Sequence, residues 1–299
     1  MPAPDGLLVV DKHAGPTSHD VVNRVRRLFA TKRVGHAGTL DPPATGILLV
    51  GLERATRILQ FLQALPKTYR AEVAFGATTT TEDATGTVLD ERACSFGLDE
   101  LRAAAAEMVG EIQQVPPMVS AVRVGGQRLY RAARRGEEVE RPARTVTVHA
   151  LDVARFDAAA WEATLEVRCS SGTYVRTLAA DIGERLGCGA HLRALRRTAV
   201  GSLGEADAVT VAQLEGMDPP ALRAAILPME AALRDYESVT VSGDELRAVG
   251  HGGSLADPGP GPGPGGTNGR PVAVLDPEGR LLAVYRRQGA GLRPAAVLM

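Results

Sequence analysis

The twelve residues GHAGTLDPPATG, 35 to 46, limit this chain more than any other stretch of it. Pro42 and Pro43 fix φ near about −65° and carry no backbone N–H to donate. The residue before a proline is pushed out of the helical region, so Asp41 belongs neither to a helix nor to the middle of a sheet. An apolar run, ILLVGL, begins at Ile47 and reads as a buried strand. The chain must therefore hold one carboxylate in a stiff bend at the mouth of that strand. Gly38 and Gly46 on either side let a ligand come close. Asp before Pro amid Gly and Thr is also ordinary turn chemistry, and the local pattern alone leaves both readings open.

At 299 residues the chain exceeds one average domain and is long enough for two. It is 44% hydrophobic and 23% charged, as a globular protein with a real core would be. No apolar run approaches the roughly 20 residues that span a bilayer, and MPAPDGLLVV lacks the basic start and long apolar stretch of a signal peptide. Cys94, Cys169 and Cys188 are odd in number and form no CxxC pair. That spacing argues against a disulfide framework and a zinc site, and for a reducing cytoplasm. Neither a Walker-type loop nor GxGxxG is present. With 34 Lys+Arg against 35 Asp+Glu the net charge is −1, so any affinity for nucleic acid must come from a local patch. Residues 123 to 144 carry seven arginines against three acids. They read either as a solvated hairpin or as a phosphate-gripping arm, since the arginine fork matches phosphate oxygens.

Along the chain, LLVV (7–10) predicts a short buried strand. SHDVVNRVRRLFA predicts a helix with Ser18 as N-cap and Val21, Val22, Val25, Leu28 and Phe29 on one face. A helix is expected from Thr56 to Leu65. TYRAEVAFG (68–76) alternates as a strand does, and TTTTEDATG after it reads as polar loop. LDELRAAAAEMVG (98–110) predicts a helix closed by Gly110, followed by strands in TVTVHALDVARF and WEATLEVRC. In TYVRTLAADIGERLG the buried stripe is Val175, Leu178, Ala179, Ile182 and Leu186, and Gly187 ends the helix. Arg176 leaves this stripe and is expected to point into a cleft. Composition shifts after Leu227: a short helix at 243–249, the run DPGPGPGPGGTNG (257–269) with too few apolar groups to pack, then strands in PVAVLD and RLLAVYRR. Strands interrupted irregularly by helices predict an α+β fold with a mainly antiparallel mixed sheet. The expected domains are 1–227, with an insertion at about 116–144, and a small β-rich domain at 228–299.

HAGTLDPPATG resembles the signature of the pseudouridine synthases that act on the T-arm of tRNA, the bacterial tRNA pseudouridine-55 synthase family. Four further stretches resemble that family's motifs in the expected order. LLVVDKHAGPTSHDVV resembles its first motif and KTYRAEVAFGATTTTEDATG its third. VPPMVSAVRVGGQRLYRAARRGEEVER resembles its tRNA-gripping insertion, and CSSGTYVRTLAADIGERLGCGAHLRALRRTAVG a late catalytic-domain motif. Together they run from residue 7 to residue 201. The resemblance implies a pseudouridine synthase fold, a C-terminal domain of PUA type that binds RNA, and isomerisation of uridine 55. It makes Asp41 the essential catalytic carboxylate, stacks Tyr69 on the target uracil and pairs Arg176 with Asp41. It further implies that Tyr174 lines the pocket, that Leu195 forms an apolar wall beneath the base, and that His36 wedges into the T-loop. Lys12 would support the loop or a phosphate. Arg123, Arg128, Arg131, Arg134 and Arg135, with Arg196 and Arg197, would grip the RNA backbone. Val119 departs from the pattern, standing where a tyrosine is expected.

The chemistry agrees with that set. Breaking the C1′–N1 bond, turning the base over and rejoining it at C5 needs no metal or redox group, so no cofactor is expected. Taking a base out of its stack costs a few kcal/mol, and stacking on Tyr69 would recover about 1–3 kcal/mol. Desolvation opposes an ionised carboxylate in a water-poor pocket, and a guanidinium such as that of Arg176 opposes the desolvation. Whether Asp41 attacks C1′, adds to C6 or removes a ribose proton stays open. Read singly, Tyr69 and Leu195 are core residues and Arg176 a helix-start ion pair. The expected partner is tRNA, with no membrane and no obligatory protein partner, for a monomer in the cytoplasm. Two alternatives remain: a guide-RNA-dependent pseudouridine synthase working in a multiprotein particle, and a non-catalytic tRNA-binding or folding factor. The arginine-rich insertion and the Asp41, Tyr69 and Arg176 set favour the stand-alone enzyme.

Overall fold

The computed structural model describes residues 3–118, 123–124, 127–128, 139–257, 269–289 and 291–299. They form two compact units. The first comprises Met1–Pro42, Gly46–Ala64 and Val200–Met299, and the second Pro43–Thr45 and Leu65–Ala199. The architecture is α+β: a mixed sheet with helices, and a separate β-rich C-terminal sheet.

In the first unit the Gly6–Lys12 strand runs antiparallel to Thr45–Leu52, with Leu8 opposite Val50 and Lys12 opposite Gly46. On its other edge Thr45–Leu52 pairs with Val34–Ala37, which sets His36 opposite the same Val50. Val209–Thr210 adds in parallel beside Val10 and Asp11. Leu7, Leu8 and Val10, with Ile47 through Val50, are 0% exposed, each contributing about 1.5–3 kcal/mol over an exposed position. This is why both runs read as continuously apolar rather than alternating.

The helix Ser18–Leu28 lies in this unit, and Val21, Val22 and Val25 form its buried face at 0–1% exposure. Ser18 is not its cap. Thr17 is, in a reciprocal capping box: the Thr17 hydroxyl accepts from Asp20 N–H (3.1 Å) while the Asp20 carboxylate accepts from Thr17 N–H (2.9 Å). The helix expected at 56–65 is two pieces, a 3-10 turn at Glu53–Arg57 and a helix at Leu59–Ala64.

Residues from Glu237 onward build a five-stranded sheet in the order Glu237–Thr240, Pro271–Leu275, Leu281–Gln288, Gly291–Val297, Leu255–Ala256. Its core is Val249, Val272, Val274, Ala283, Tyr285 and Leu292. Only the second and third strands in this order were legible from the sequence, because the others are short or carry polar residues. Of the Pro/Gly run, 258–268 lies outside the described residues. This sheet belongs to the same unit as the N-terminal strands. Leu7 and Leu227 exchange backbone hydrogen bonds (2.9 and 2.8 Å), and the Tyr236 hydroxyl donates to the Phe61 carbonyl (2.7 Å).

In the second unit the strands follow in the order Ala190–Val200, Lys67–Phe75, Glu162–Cys169, Arg144–Asp157 and Gly110–Gln114. The last three junctions are antiparallel. The helices Leu98–Ala106 and Val175–Arg185 share one core with it, centred on Val73, Leu101, Leu165, Val167, Leu178 and Ile182. Gly187, at φ +78°, ends the second helix as expected. The first stops at Ala106, and Gly110 instead opens the next strand. The stretch expected to be polar loop after Phe75 is an ordered structure: Ala77–Thr79 pairs with Val88–Glu91, and Thr79 and Asp83 are buried.

Candidate active site

The bend that carries Asp41 is held within the first unit from both sides. Ahead of it, the Ser18 hydroxyl accepts from the Leu40 N–H (2.9 Å) and donates to the Leu40 carbonyl (3.1 Å). Behind it, the Pro42 carbonyl accepts from Gly15 N–H (2.9 Å) and from Lys12 Nζ (3.0 Å), which also donates to the His13 carbonyl (3.0 Å). Lys12 is 0% exposed. Its ammonium is thus bonded to the backbone of the bend. Gly38 and Gly46 take φ of +83° and +97°, conformations that a side chain would strain. Asp41 itself is half-buried, as is His36 on the neighbouring strand.

The second unit assembles a different group of charges. Arg176, one residue into its helix, is 4% exposed rather than open to a cleft. It donates to the Thr81 carbonyl (3.0 Å) and pairs with Asp83 (3.4 Å). Asp83 in turn accepts from Thr81 Oγ1 (2.7 Å), Thr85 N–H (2.9 Å) and Thr85 Oγ1 (2.5 Å). Each hydrogen bond to a carboxylate offsets part of the cost of burying the pair. Beside it Glu82 takes φ +60° and accepts from the Thr177 hydroxyl (2.7 Å). Burial pushes the Glu82 carboxyl above the usual carboxylate range, against the opposing pull of that hydroxyl and of Arg176. Sequence reasoning missed Asp83: in TTTTED an acid among hydroxyls reads as polar loop, with no signal of the buried guanidinium it meets.

Tyr174 precedes the same helix, half-buried, and its backbone is held on both sides by one amide. Gln114 Oε1 accepts from Tyr174 N–H (2.8 Å), and Gln114 Nε2 donates to the Tyr174 carbonyl (3.0 Å). Tyr69 sits opposite Val167 and packs half-buried against the core, as does Leu195, whose carbonyl accepts from the Thr45 hydroxyl (3.5 Å). Arg197 requires a correction. At 1% exposure it is a core cation, not an outward phosphate contact. It neighbours Lys67, which is 4% exposed and donates to the Leu65 carbonyl (2.6 Å). Burial, and then the Arg197 charge, bring the Lys67 ammonium down to about 8.

Arg196 is half-buried. Arg131, Arg134, Arg135 and Val119 lie outside the described residues. Of Arg123 and Arg128 only the backbone is described, paired across a short antiparallel ladder. Arg27, Lys32 and Arg33, overlooked in the sequence, are exposed just ahead of the strand that carries His36.

Each unit taken by itself holds groups suited to base isomerisation on a nucleic acid: the first a carboxylate in a clamped bend, the second a half-buried aromatic ring and a buried guanidinium. The fold is that of solved pseudouridine synthase assemblies. A Cbf5–Nop10–Gar1 complex matches at a TM-score of 0.76 and 28% identity, over 98% of this chain and 85% of that one. An H/ACA RNP bound to a substrate RNA containing 2′-deoxyuridine matches at 0.73 and 27%, with the same coverage. The TruB family pseudouridylate synthase N-terminal domain matches residues 26–175, and the tRNA pseudouridylate synthase B C-terminal domain matches 176–234. Relatives described as tRNA pseudouridine synthase B include that of Thermobifida fusca, 45% identical over 98% of both chains. That of Cupriavidus metallidurans is 44% identical over 97% of this chain and 92% of its own. The chain belongs to the TruB family of pseudouridylate synthases.

Proposed function

We propose that this enzyme converts uridine 55 in the T-arm of tRNA to pseudouridine, acting alone as a monomer in the cytoplasm. The observation that carries the reading is the clamp on both sides of Asp41 in a chain of this family. A carboxylate fixed in a bend loses little freedom when substrate arrives, and its contribution is made by position. Asp41 supplies the reacting carboxylate. Tyr69 stacks on the extruded uracil, Leu195 and Tyr174 close the pocket around it, and the Arg176 guanidinium favours the ionised form of Asp41. His36 occupies the space that the flipped nucleotides leave. Arg123, Arg128, Arg131, Arg134, Arg135 and Arg196 contact phosphates, joined by the exposed Arg27, Lys32 and Arg33. The C-terminal region from about residue 228, with its five-stranded sheet, serves as a PUA-type RNA-binding domain. Among the described residues no helix is long and apolar enough to cross a membrane.

The test is tritium release from unmodified tRNA labelled at uracil C5, with the modified position then mapped. Wild type should release tritium from a bare T-arm hairpin. Asp41→Ala should lose activity by about 10²–10⁴-fold or more, the scale of a positioned acid–base group, and keep its tRNA affinity. Equal turnover by wild type and variant overturns the role of Asp41. Turnover that requires an added guide RNA or protein partner supports the guide-dependent reading instead.

A further inference from the structure

Ser18 stands where a helix cap would, but Thr17 performs the capping. The Ser18 hydroxyl is directed to a single residue, satisfying both backbone groups of Leu40, immediately before Asp41. Ser18 is 2% exposed and Leu40 3%, so solvent offers these groups no ready substitute. The serine also sits on the first turn of a helix whose Val21, Val22 and Val25 are packed at 0–1% exposure. The bend is thus tied to a rigid element rather than to another loop. We propose that Ser18 is a positioning residue for the isomerisation, fixing the peptide that presents the Asp41 carboxylate. The proposal rests on the reading of Asp41 given above.

A bland alternative is that Ser18 merely satisfies two buried groups and holds the fold. The two are separated by comparing Ser18→Ala with Thr17→Ala, which cuts the helix cap and leaves the Ser18 hydroxyl in place. Steady-state kinetics, tRNA affinity and Tm are measured on each. Positioning predicts that Ser18→Ala lowers kcat by about 10²-fold, the cost of an ångström-scale misplacement, with KM and tRNA affinity within about twofold. It predicts that Thr17→Ala lowers Tm while kcat stays near wild type. A folded Ser18→Ala protein with wild-type kcat overturns the proposal, and so does a loss confined to KM and affinity. Inactive wild type would instead overturn the function reading. Should Ser18→Ala fail to fold, amide exchange in the wild type decides. Leu40 N–H protected as well as the Thr45–Leu52 strand supports the clamp, and exchange at loop rates overturns it.

Discussion

Arg176 enters the core as a charge, and carboxylates meet it there. Asp83 is satisfied by three hydrogen bonds from threonines besides the ion pair. Glu82 accepts from the Thr177 hydroxyl and has a left-handed backbone, a conformation that costs a non-glycine residue about 1–3 kcal/mol. Burial outweighs the attraction of Arg176 and raises its pKa. The folded protein therefore holds the Glu82 proton more tightly than the unfolded chain does. That contribution is complete below the ordinary carboxylate pKa and is lost as pH rises through the raised value. Glu82→Gln keeps an oxygen for Thr177 and never ionises. It should exceed wild type in stability at pH 7–8, with the difference shrinking as pH falls toward the carboxylate range. Chemical unfolding of both proteins across that range checks this, and a difference independent of pH refutes it. None of this was legible in TTTTEDATG, because a run of polar residues looks the same whether water or a guanidinium satisfies it.

At the scale of elements, the helix Val175–Arg185 shows which parts of a pattern are reliable. Its apolar stripe fell where the 3.6-residue period put it, with Val175, Leu178, Ala179 and Ile182 at 0–5% exposure. Gly183 stands inside that helix, where glycine costs about 1 kcal/mol in propensity against alanine. A Cβ there would lie 2.3 Å from the backbone nitrogen of Ala190 and 2.4 Å from its Cβ, so the glycine permits helix and strand to touch. Gly183→Ala sets a gain of about 1 kcal/mol in helix propensity against overpacking on a backbone that cannot yield, typically 1–3 kcal/mol or more. Overpacking should win. The expected result is a lower denaturant midpoint with an unchanged m-value, and a more stable variant would contradict the close approach. Thr17 and Ser18 teach a related lesson. Adjacent hydroxyls at a helix start are interchangeable on paper, and only the position of Leu40 decides which one caps.

For the whole molecule, near-neutral charge limits how RNA can be held. With 34 basic and 35 acidic residues there is no general attraction, and affinity must come from the phosphates actually touched. Log K should fall linearly with log salt, with a slope of about −0.7 to −0.9 per phosphate contact, so a handful of cations gives a modest slope. Replacing Arg27, Lys32 and Arg33 together by Glu should flatten it further. An affinity that does not change between low and moderate salt would remove the phosphate-contact proposal.

By itself the sequence determined the α+β class, the two fully buried strands beside the bend, the stiffness of the bend and the family. These depend on local causes: the periodicity of apolar residues, the fixed φ of proline, and motifs read in order. Which groups hold the bend, that Arg176 meets Asp83, and that Arg197 is buried were decided only when distant segments packed. A side chain's hydrogen-bond partner and its exposure are properties of what surrounds it, and residues 18 and 40, or 83 and 176, become neighbours only in the folded chain.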